Sequence, residues 1–457
     1  MRRRLLQAET VAVGLLILLL AGQRLLRLDL DPHADELALI AGGGVVDALI
    51  APENGVNPPL LHVLASALPT AWALTWGRVG AWLAGLATLG SLAVLARRTV
   101  GDTPGAALAA VLALGVLPQH VAVGTMLRSY AFWGLAWTAH AALLSRALED
   151  DARARRAWLG TLILTGWLHY AALPLAVLEL AWLATAGPAG RSLLRLTPWL
   201  ALAWAPLAIP VVQHAVVRTR TSPPAEVLEL LLTAGLGERT TGPLLPALVL
   251  LPLGVGLLRW RQAAPATRLA LVASVGSLAL LPLLGTQQAV RTQATVLFAV
   301  PWALAVATLP LPGVAGALLR LGLAGAVAGL VAPHATEGRI RAEDPRAWHA
   351  VVEDWPRWRA DGALWLVDDA EVVTLCYVVA GVREYAHGSP EAACAGEAFC
   401  CVHDGVVVRR VRTPPAPGWL VTPRRTLPWT PPEGCAAQAT PARYAEARCG
   451  DTAGEGP

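Results

Sequence analysis

Charge is scarce in this sequence. Only 15% of its 457 residues are Asp, Glu, Lys or Arg, against 55% that are hydrophobic, whereas a soluble domain carries about 25% charged residues. That shortage excludes an ordinary water-soluble globule and makes lipid the expected solvent. Cysteine is missing from everything but the C-terminal quarter, where Cys376, Cys394, Cys400, Cys401, Cys435 and Cys449 all lie. No two of them form a C-x-x-C pair, so the spacing argues against zinc, and an even number in one polar region fits disulfides made in an oxidising compartment. No internal repeat of fixed period is present. A small-x-small cleavage site is also missing after the basic, apolar N-terminus, so that run reads as a retained anchor rather than a removable leader. The net charge of +4 adds little, because arginines are already committed to topology.

What is abundant is apolar length. Windows of roughly 16 to 22 residues, enough to cross a hydrocarbon layer of about 30 Å, recur between Thr10 and Val331. They number about eleven, near Thr10–Leu26, Gly77–Leu95, Pro104–Val123, Tyr130–Leu148, Trp158–Ala171, Ala172–Ala186, Pro198–Gln213, Pro243–Leu258, Leu269–Gly285, Gln293–Leu309 and Val314–Val331. Positive charge stays on the cytoplasmic side of an inserting bundle. With Arg2-Arg3-Arg4 inside, the bias holds at Arg97-Arg98, at Arg153, Arg155 and Arg156, at Arg191 and Arg195, and at Arg259, Arg261 and Arg268. The other side still carries Arg27, Arg78, Arg128, Arg218, Arg220, Arg239 and Arg291, some of which need another reason. An odd span count then puts the C-terminal region outside.

Three regions follow: residues 27–76 as a first outside loop, the membrane body of which that loop is part (1–332), and a polar terminal domain (333–457). Leu60–Leu74 reads as a helix lying at the interface, being too short and too near Pro69 to span. A second outside loop, His214–Thr241, holds a short helix candidate at Glu226–Leu232. In the terminal domain Pro345–Arg359 reads as a helix, Ala363–Val367 as a strand and Val372–Ala380 as another apolar element, which makes a small α/β layer. From Thr413 to Pro432, where prolines accumulate, and over Gly450–Pro457, extended or disordered chain is expected.

The residues that can do chemistry gather in the first loop. Asp35 and Glu36 fall in the first turn of a helix-forming run, where backbone N–H groups favour ionised carboxylates. Neighbours on a helix point about 100° apart, so the two cannot share one role. Such a carboxylate can accept the proton of a hydroxyl attacking an anomeric carbon; the same pair also fits plain helix capping. Next comes Glu53-Asn54-Gly55-Val56-Asn57-Pro58-Pro59-Leu60, a turn with Pro59 suited to start a helix and placed to aim Glu53 and His62. Arg128 and Arg291 fall at outside ends of spans, against the charge bias. A guanidinium fork there fits a phosphate leaving group, or else snorkels to lipid headgroups. His169-Tyr170 near another outside end can contact sugar or phosphate, or bond between helices. Glu179, an acid within an apolar run, must be paired in the bundle or close to an interface, and no catalytic role is assigned to it. The 18 tryptophans, among them Trp72, Trp76, Trp133, Trp137, Trp167 and Trp302, read mainly as interfacial belts.

Taken together, the acidic pair after the first span, the Glu-Asn-x-x-Asn-Pro-Pro-Leu segment, Arg128-Ser129-Tyr130-Ala131 and His169-Tyr170 resemble the GT-C glycosyltransferases, the nearest group being the protein O-mannosyltransferase and lipid A aminoarabinose transferase-like enzymes, glycosyltransferase family 39 in its broad sense. The resemblance covers roughly Arg27 to Leu309. It implies a mostly α, polytopic fold of GT-C type and a sugar moved from a polyprenyl-phosphate donor to a lipid, glycan or protein acceptor at the outer face of a bacterial inner membrane. By position, Asp35 resembles the catalytic carboxylate and Glu36 its partner. Arg128 and Tyr130 match an Arg-Pro-Tyr-Ala-like motif, His169 and Tyr170 a Thr-His-Tyr-like one, and Arg291 an Arg-Tyr-Leu-like one. Ser129 replaces the usual proline, and Thr292 stands where tyrosine is common.

Glu53, Asn57 and His62 are expected at the acidic rim or substrate side. A divalent cation, Mg or Mn, held by Asp35 and Glu53 is compatible with hard oxygen ligands but not required. No nucleic acid is expected as a partner. The rival of a different class is a transporter or lipid-linked sugar flippase, which usually carries ionisable groups near mid-membrane and repeated halves.

Overall fold

The computed structural model describes residues 2–28, 36–37, 39, 59–66, 68, 70–101, 103–149, 151–208, 223–225, 227–228, 244–284, 294–335, 347–359, 363–366, 374–376, 378, 400–403, 406–410, 418–423, 431, 435–437 and 444–449. They divide between two compact units. One comprises residues 1–28, 43–64 and 76–338, the other 29–42, 65–75 and 339–457.

The first unit is a helical bundle. Its helices are α1 (Arg2–Leu25), most of α2 (Pro59–Ser66) and of α3 (Thr70–Val100), then α4 (Ala106–Gly115), α5 (Pro118–Val123), α6 (Ser129–Leu148), α7 (Ala152–Leu168), α8 (Ala172–Thr185), α9 (Gly187–Leu194), α10 (Thr197–Trp204), α11 (Leu244–Leu258) and α12 (Pro265–Leu284). A π-helical turn, Thr295–Ala299, leads into α13 (Val300–Ala307), and α14 (Gly313–Ala335) closes the series. Among the described residues, four helices are long and apolar enough to cross a membrane: Arg4–Leu25, Trp72–Val100, Pro265–Pro282 and Gly313–Val331. Large apolar side chains on this unit face outward, with Leu18 and Leu19 of α1 68% and 72% exposed and Trp199, Leu202, Leu258 and Val314 likewise bare. An apolar exterior of that extent is a lipid-facing one. The chain is a polytopic helical membrane protein.

Buried polar contacts fix the order of the first helices. Glu9 Oε1 accepts from the N–H groups of Ala107 and Leu108 at 2.9 and 3.1 Å, which satisfies donors at the start of α4. Arg97, near the end of α3, sits 3.8 Å from Glu9 Oε2 and donates to Leu6 O. At the other end of α1, Trp82 Nε1 donates to Ala21 O. Hence α1 runs antiparallel to α3, and the arginines of the N-terminus and of Arg97-Arg98 share one end. Further along, α6 and α7 pack as a hairpin. Trp167 Nε1 donates to Ala203 O and Trp204 Nε1 to Ile163 O, tying α7 to α10 from both sides. Gly166 makes that approach possible, since a Cβ there would lie 2.3 Å from the Trp204 ring.

Several sequence expectations need correction. Pro104–Val123 is not one span: α4 ends at Gly115 and α5 begins with Pro118 at its first position, because proline lacks the N–H that a continuing helix would use. Leu60–Leu74 is likewise two pieces, α2 ending at Ser66 and the first turn of α3 starting at Thr70 beyond Pro69. Trp133, Trp137 and Trp302 are not belt residues but core, at most 3% exposed, and Trp302 Nε1 donates to Val249 O. Trp72 and Trp76 are exposed. Within the second loop, only residues 223–225 and 227–228 are described, helical at 224–225 and 227–228.

The second unit carries a six-stranded sheet: β1 (Ala363–Leu366), β2 (Cys400–His403), β3 (Val406–Arg410), β4 (Gly418–Pro423), β5 (Cys435–Ala437) and β6 (Tyr444–Cys449). Their order is β2-β3-β1-β4-β6-β5, with β1 parallel to both β3 and β4 and the remaining pairs antiparallel. The expected helix Pro345–Arg359 is two, α15 (Ala347–Glu353) and α16 (Trp355–Arg359), and within Val372–Ala380 the described residues 374–376 and 378 are helical. Trp348, Val351, Trp355 and Trp358 pack on Leu366, Val408, Val421 and Tyr444 to form the core, and Tyr444 Oη donates to Asp354. Extended or disordered chain is the expectation across Thr413–Pro432; within it Gly418–Pro423 is a strand paired with β1 and β6, with Trp419–Thr422 buried. Disulfides join Cys376 to Cys401 and Cys435 to Cys449, and Cys400 is disulfide-bonded too. Residues Gly450–Pro457 lie outside the described ones.

Candidate active site

One end of the bundle concentrates buried cations. It is the end where α1 and α4 finish and α6 starts. Arg24, near the C-terminus of α1, is wholly buried; one of its nitrogens, Nη2, donates to Gly115 O at 3.0 Å and lies 2.8 Å from His120 Nδ1. A guanidinium only donates, so His120 Nδ1 accepts and the imidazole proton is on Nε2. Nη1 and Nε of Arg24 have no hydrogen-bond partner, and Cβ atoms on Gly85 and Gly124 would crowd Nη1 at 3.3 and 3.4 Å. Arg78 of α3 is 4% exposed and donates to Leu28 O at 3.0 Å. Arg128, 6% exposed, caps α6 in an extended conformation. A buried guanidinium in a membrane bundle is costly and marks a functional site by default.

Arg128 belongs to a ring cluster. Its Nη2 donates to Tyr130 Oη at 3.4 Å, and its Cζ lies 5.6 Å from the centre of the Tyr130 ring, a cation–π distance. Tyr130 in turn meets His169, ring centroids 5.3 Å apart, and His169 stacks on Trp133 at 4.7 Å with the planes 12° apart. His169 is the C-terminal cap of α7, and its Nδ1 accepts the Ala171 N–H at 3.0 Å. Accepting there leaves the ring proton on Nε2. Tyr170 follows, half-buried, at the corner between α7 and α8.

Of the residues singled out in the sequence, the structure therefore brings Arg128, Tyr130 and His169 together, with Tyr170 next in the chain. Glu36 is helical, fully buried and part of the other unit. Asp35, Glu53, Asn57 and Arg291 lie outside the described residues, as does the side chain of His62, whose backbone is in α2. Among the described residues no group of three or more His, Cys, Asp or Glu is placed to hold a metal. Sequence reading missed Arg24, His120 and Trp133. An arginine closing an apolar run was the available signal for the first.

No protein-family model and no curated protein matches the chain. Solved structures do. The chain is similar to ArnT from Cupriavidus metallidurans in the apo state, with a TM-score of 0.54 and 15% identity over 96% of this chain and 98% of that one. It is similar as well to ArnT from Cupriavidus metallidurans bound to undecaprenyl phosphate, with a TM-score of 0.51 and 14% identity over 98% and 100% of the two chains. At such identity the likeness is one of architecture, and it is nearly complete in both directions: the chain has the GT-C fold.

Proposed function

We propose that this protein is a membrane glycosyltransferase that moves a hexosyl or pentosyl group from a polyprenyl-phosphate-linked donor to a lipid, glycan or protein acceptor. The observation that carries the reading is the set of buried arginines, Arg24, Arg78 and Arg128, at one end of the bundle beside the Tyr130–His169–Trp133 stack. Cations held in low dielectric suit a phosphate that gains charge as it leaves. A neighbour of the same fold is seen bound to undecaprenyl phosphate, a ligand of that chemistry.

In this scheme an acceptor hydroxyl attacks the anomeric carbon, the bond from that carbon to the phosphate oxygen breaks, and the hydroxyl proton passes to the Asp35 carboxylate. Glu36 supports Asp35, Glu53, Asn57 and His62 line the substrate side, and Arg128 and Arg291 hold the departing phosphate with Tyr130, His169 and Tyr170 around it. The reaction faces the periplasm of a bacterial inner membrane, the side to which the arginine bias assigns the first loop.

A transporter or lipid-linked sugar flippase is the second reading, and one observation favours it: a His140–Glu179 pair buried within the helices. Their hydrogen bonds close on Trp158 and Thr161, which suits a fixed structural pair better than a moving ion site.

Purified protein in lipid nanodiscs, offered a panel of polyprenyl-phosphate sugars and acceptors, tests the transferase reading. Asp35→Asn is expected to abolish transfer while the protein still inserts and binds donor, and Arg291→Ala to weaken donor binding by roughly tenfold or more, the value of a charge-assisted contact. Full turnover by Asp35→Asn overturns the base assignment.

A further inference from the structure

Three buried hydrogen-bond donors near the Arg128 cluster have no partner. Ser129 Oγ and Trp133 Nε1 are on α6, and Thr295 Oγ1 opens the π-helical turn; the residues are 3%, 0% and 1% exposed. Ser129 and Trp133 are four residues apart, so they stack on one face of α6. That face meets the corner between α7 and α8, because Trp133 lies flat against His169. The π-helical turn packs on the same two turns of α6: a Cβ on Gly134 would lie 3.7 Å from Val296 Cγ2. A π turn is rare and recurs at functional sites, where its wider bore displaces a side chain from the regular ladder.

Leaving one buried donor unmade costs about 1–3 kcal/mol. Three such groups around one helix end are more than packing alone is expected to leave. Their chemistry also selects what satisfies them. An indole N–H only donates, and the Ser129 and Thr295 hydroxyls can donate as well, so a ligand rich in acceptors satisfies all three at once. Phosphate oxygens, each able to accept more than one hydrogen bond, fit that demand.

We infer that Ser129, Trp133 and Thr295 bind phosphate oxygens of the lipid-linked donor, alongside Arg128. This rests on the transferase reading and deepens it. Ser129 occupies the position where the resembling motif has proline, so this chain gains a hydroxyl donor there. Trp133 has a second task, holding the His169 ring in plane.

The test uses the full-length protein in phosphatidylcholine nanodiscs and titrates undecaprenyl phosphate, with thermal unfolding followed in parallel. Variants are Ser129→Ala, Thr295→Val and Trp133→Phe, the last keeping an aromatic face for His169. Each is expected to weaken binding by roughly tenfold, and the apo unfolding midpoint to stay level or rise, since removing an orphaned buried donor is neutral or stabilising. If the apo midpoint falls while affinity is unchanged, the three groups are structural and the assignment is overturned. If the unaltered protein shows no saturable binding of undecaprenyl phosphate, the transferase reading itself fails and this assignment goes with it; unaltered binding in all three variants sinks the assignment alone.

Discussion

Glu179 shows what one acid costs in a membrane bundle and how the cost is met. Its two oxygens lie 2.9 and 2.7 Å from His140 Nε2, and Trp158 Nε1 donates to it at 2.9 Å. On the far side of the imidazole, Nδ1 faces Thr161 Oγ1 and Trp158 O. The Thr161 hydroxyl already has backbone carbonyls to donate to, so Nδ1 faces acceptors and carries a proton. Removing one partner of a buried pair typically costs about 3–5 kcal/mol. Glu179→Ala is therefore expected to lower thermal stability in detergent by that order, while Glu179→Gln, which still accepts from Trp158, loses less; equal melting of all three proteins would deny the pair a structural role. The sequence revealed that Glu179 needed a partner but not which one, because His140 is 39 positions away on another helix. Contacts of that kind depend on how helices are rotated, and an apolar run does not encode rotation.

Helix α7 shows the same logic at a helix end. Asp151 caps it, accepting the N–H groups of Arg153 and Ala154 at 2.9 and 3.0 Å, and Arg146 Nη2 stands 2.7 Å away. The bond from the Ala154 N–H, then Arg146 and the Arg153 N–H, hold the carboxyl below its usual range against the opposing effect of desolvation. A carboxylate with a depressed folded value contributes stability above its unfolded value of about 3.9 and loses it as pH falls through the lower, folded one. Protection of the amides in the first turn of α7, relative to their intrinsic exchange rates, should thus be level from neutral pH down to about 4, then fall. Asp151→Asn, still a good cap, should flatten that acid limb, and an unchanged limb would count against the cap. Helix positions were mostly readable: the expected Tyr130–Leu148 is Ser129–Leu148, and Ala172–Ala186 is Ala172–Thr185. Hydropathy saw through the break at Val116–Leu117 because both flanks are apolar; only Pro118 marked it. In the terminal domain β4 was hidden for the opposite reason. Prolines surround Trp419-Leu420-Val421, and the pairing of β1 with β4 joins residues more than fifty positions apart, which local pattern does not report.

At the scale of the molecule, chemistry divides between the units. The bundle contains no cysteine, whereas Cys376–Cys401 and Cys435–Cys449 close loops of 25 and 14 residues within the sheet unit. Closing loops of that size removes unfolded-state entropy worth about 3 kcal/mol each. Bonds of this kind persist on an oxidising side of the membrane, and by the positive-inside rule the arginines gathered where α1 begins and α3 ends favour a cytoplasmic placement of that end of the bundle. The two arguments are independent, one redox and one electrostatic, and the proposed topology, with the terminal unit on the periplasmic face, rests on both. In intact cells, a membrane-impermeant maleimide is expected to label the chain only after treatment with an impermeant reductant, and a cysteine introduced at position 150, in the loop between α6 and α7, to stay unlabelled until the membrane is opened. With the purified protein, the same reductant should raise amide exchange in β2, β5 and β6 and leave α6 and α7 protected, because the covalent restraints are confined to the sheet unit. Labelling of position 150 from outside would invert the topology and remove the periplasmic placement of the transfer reaction.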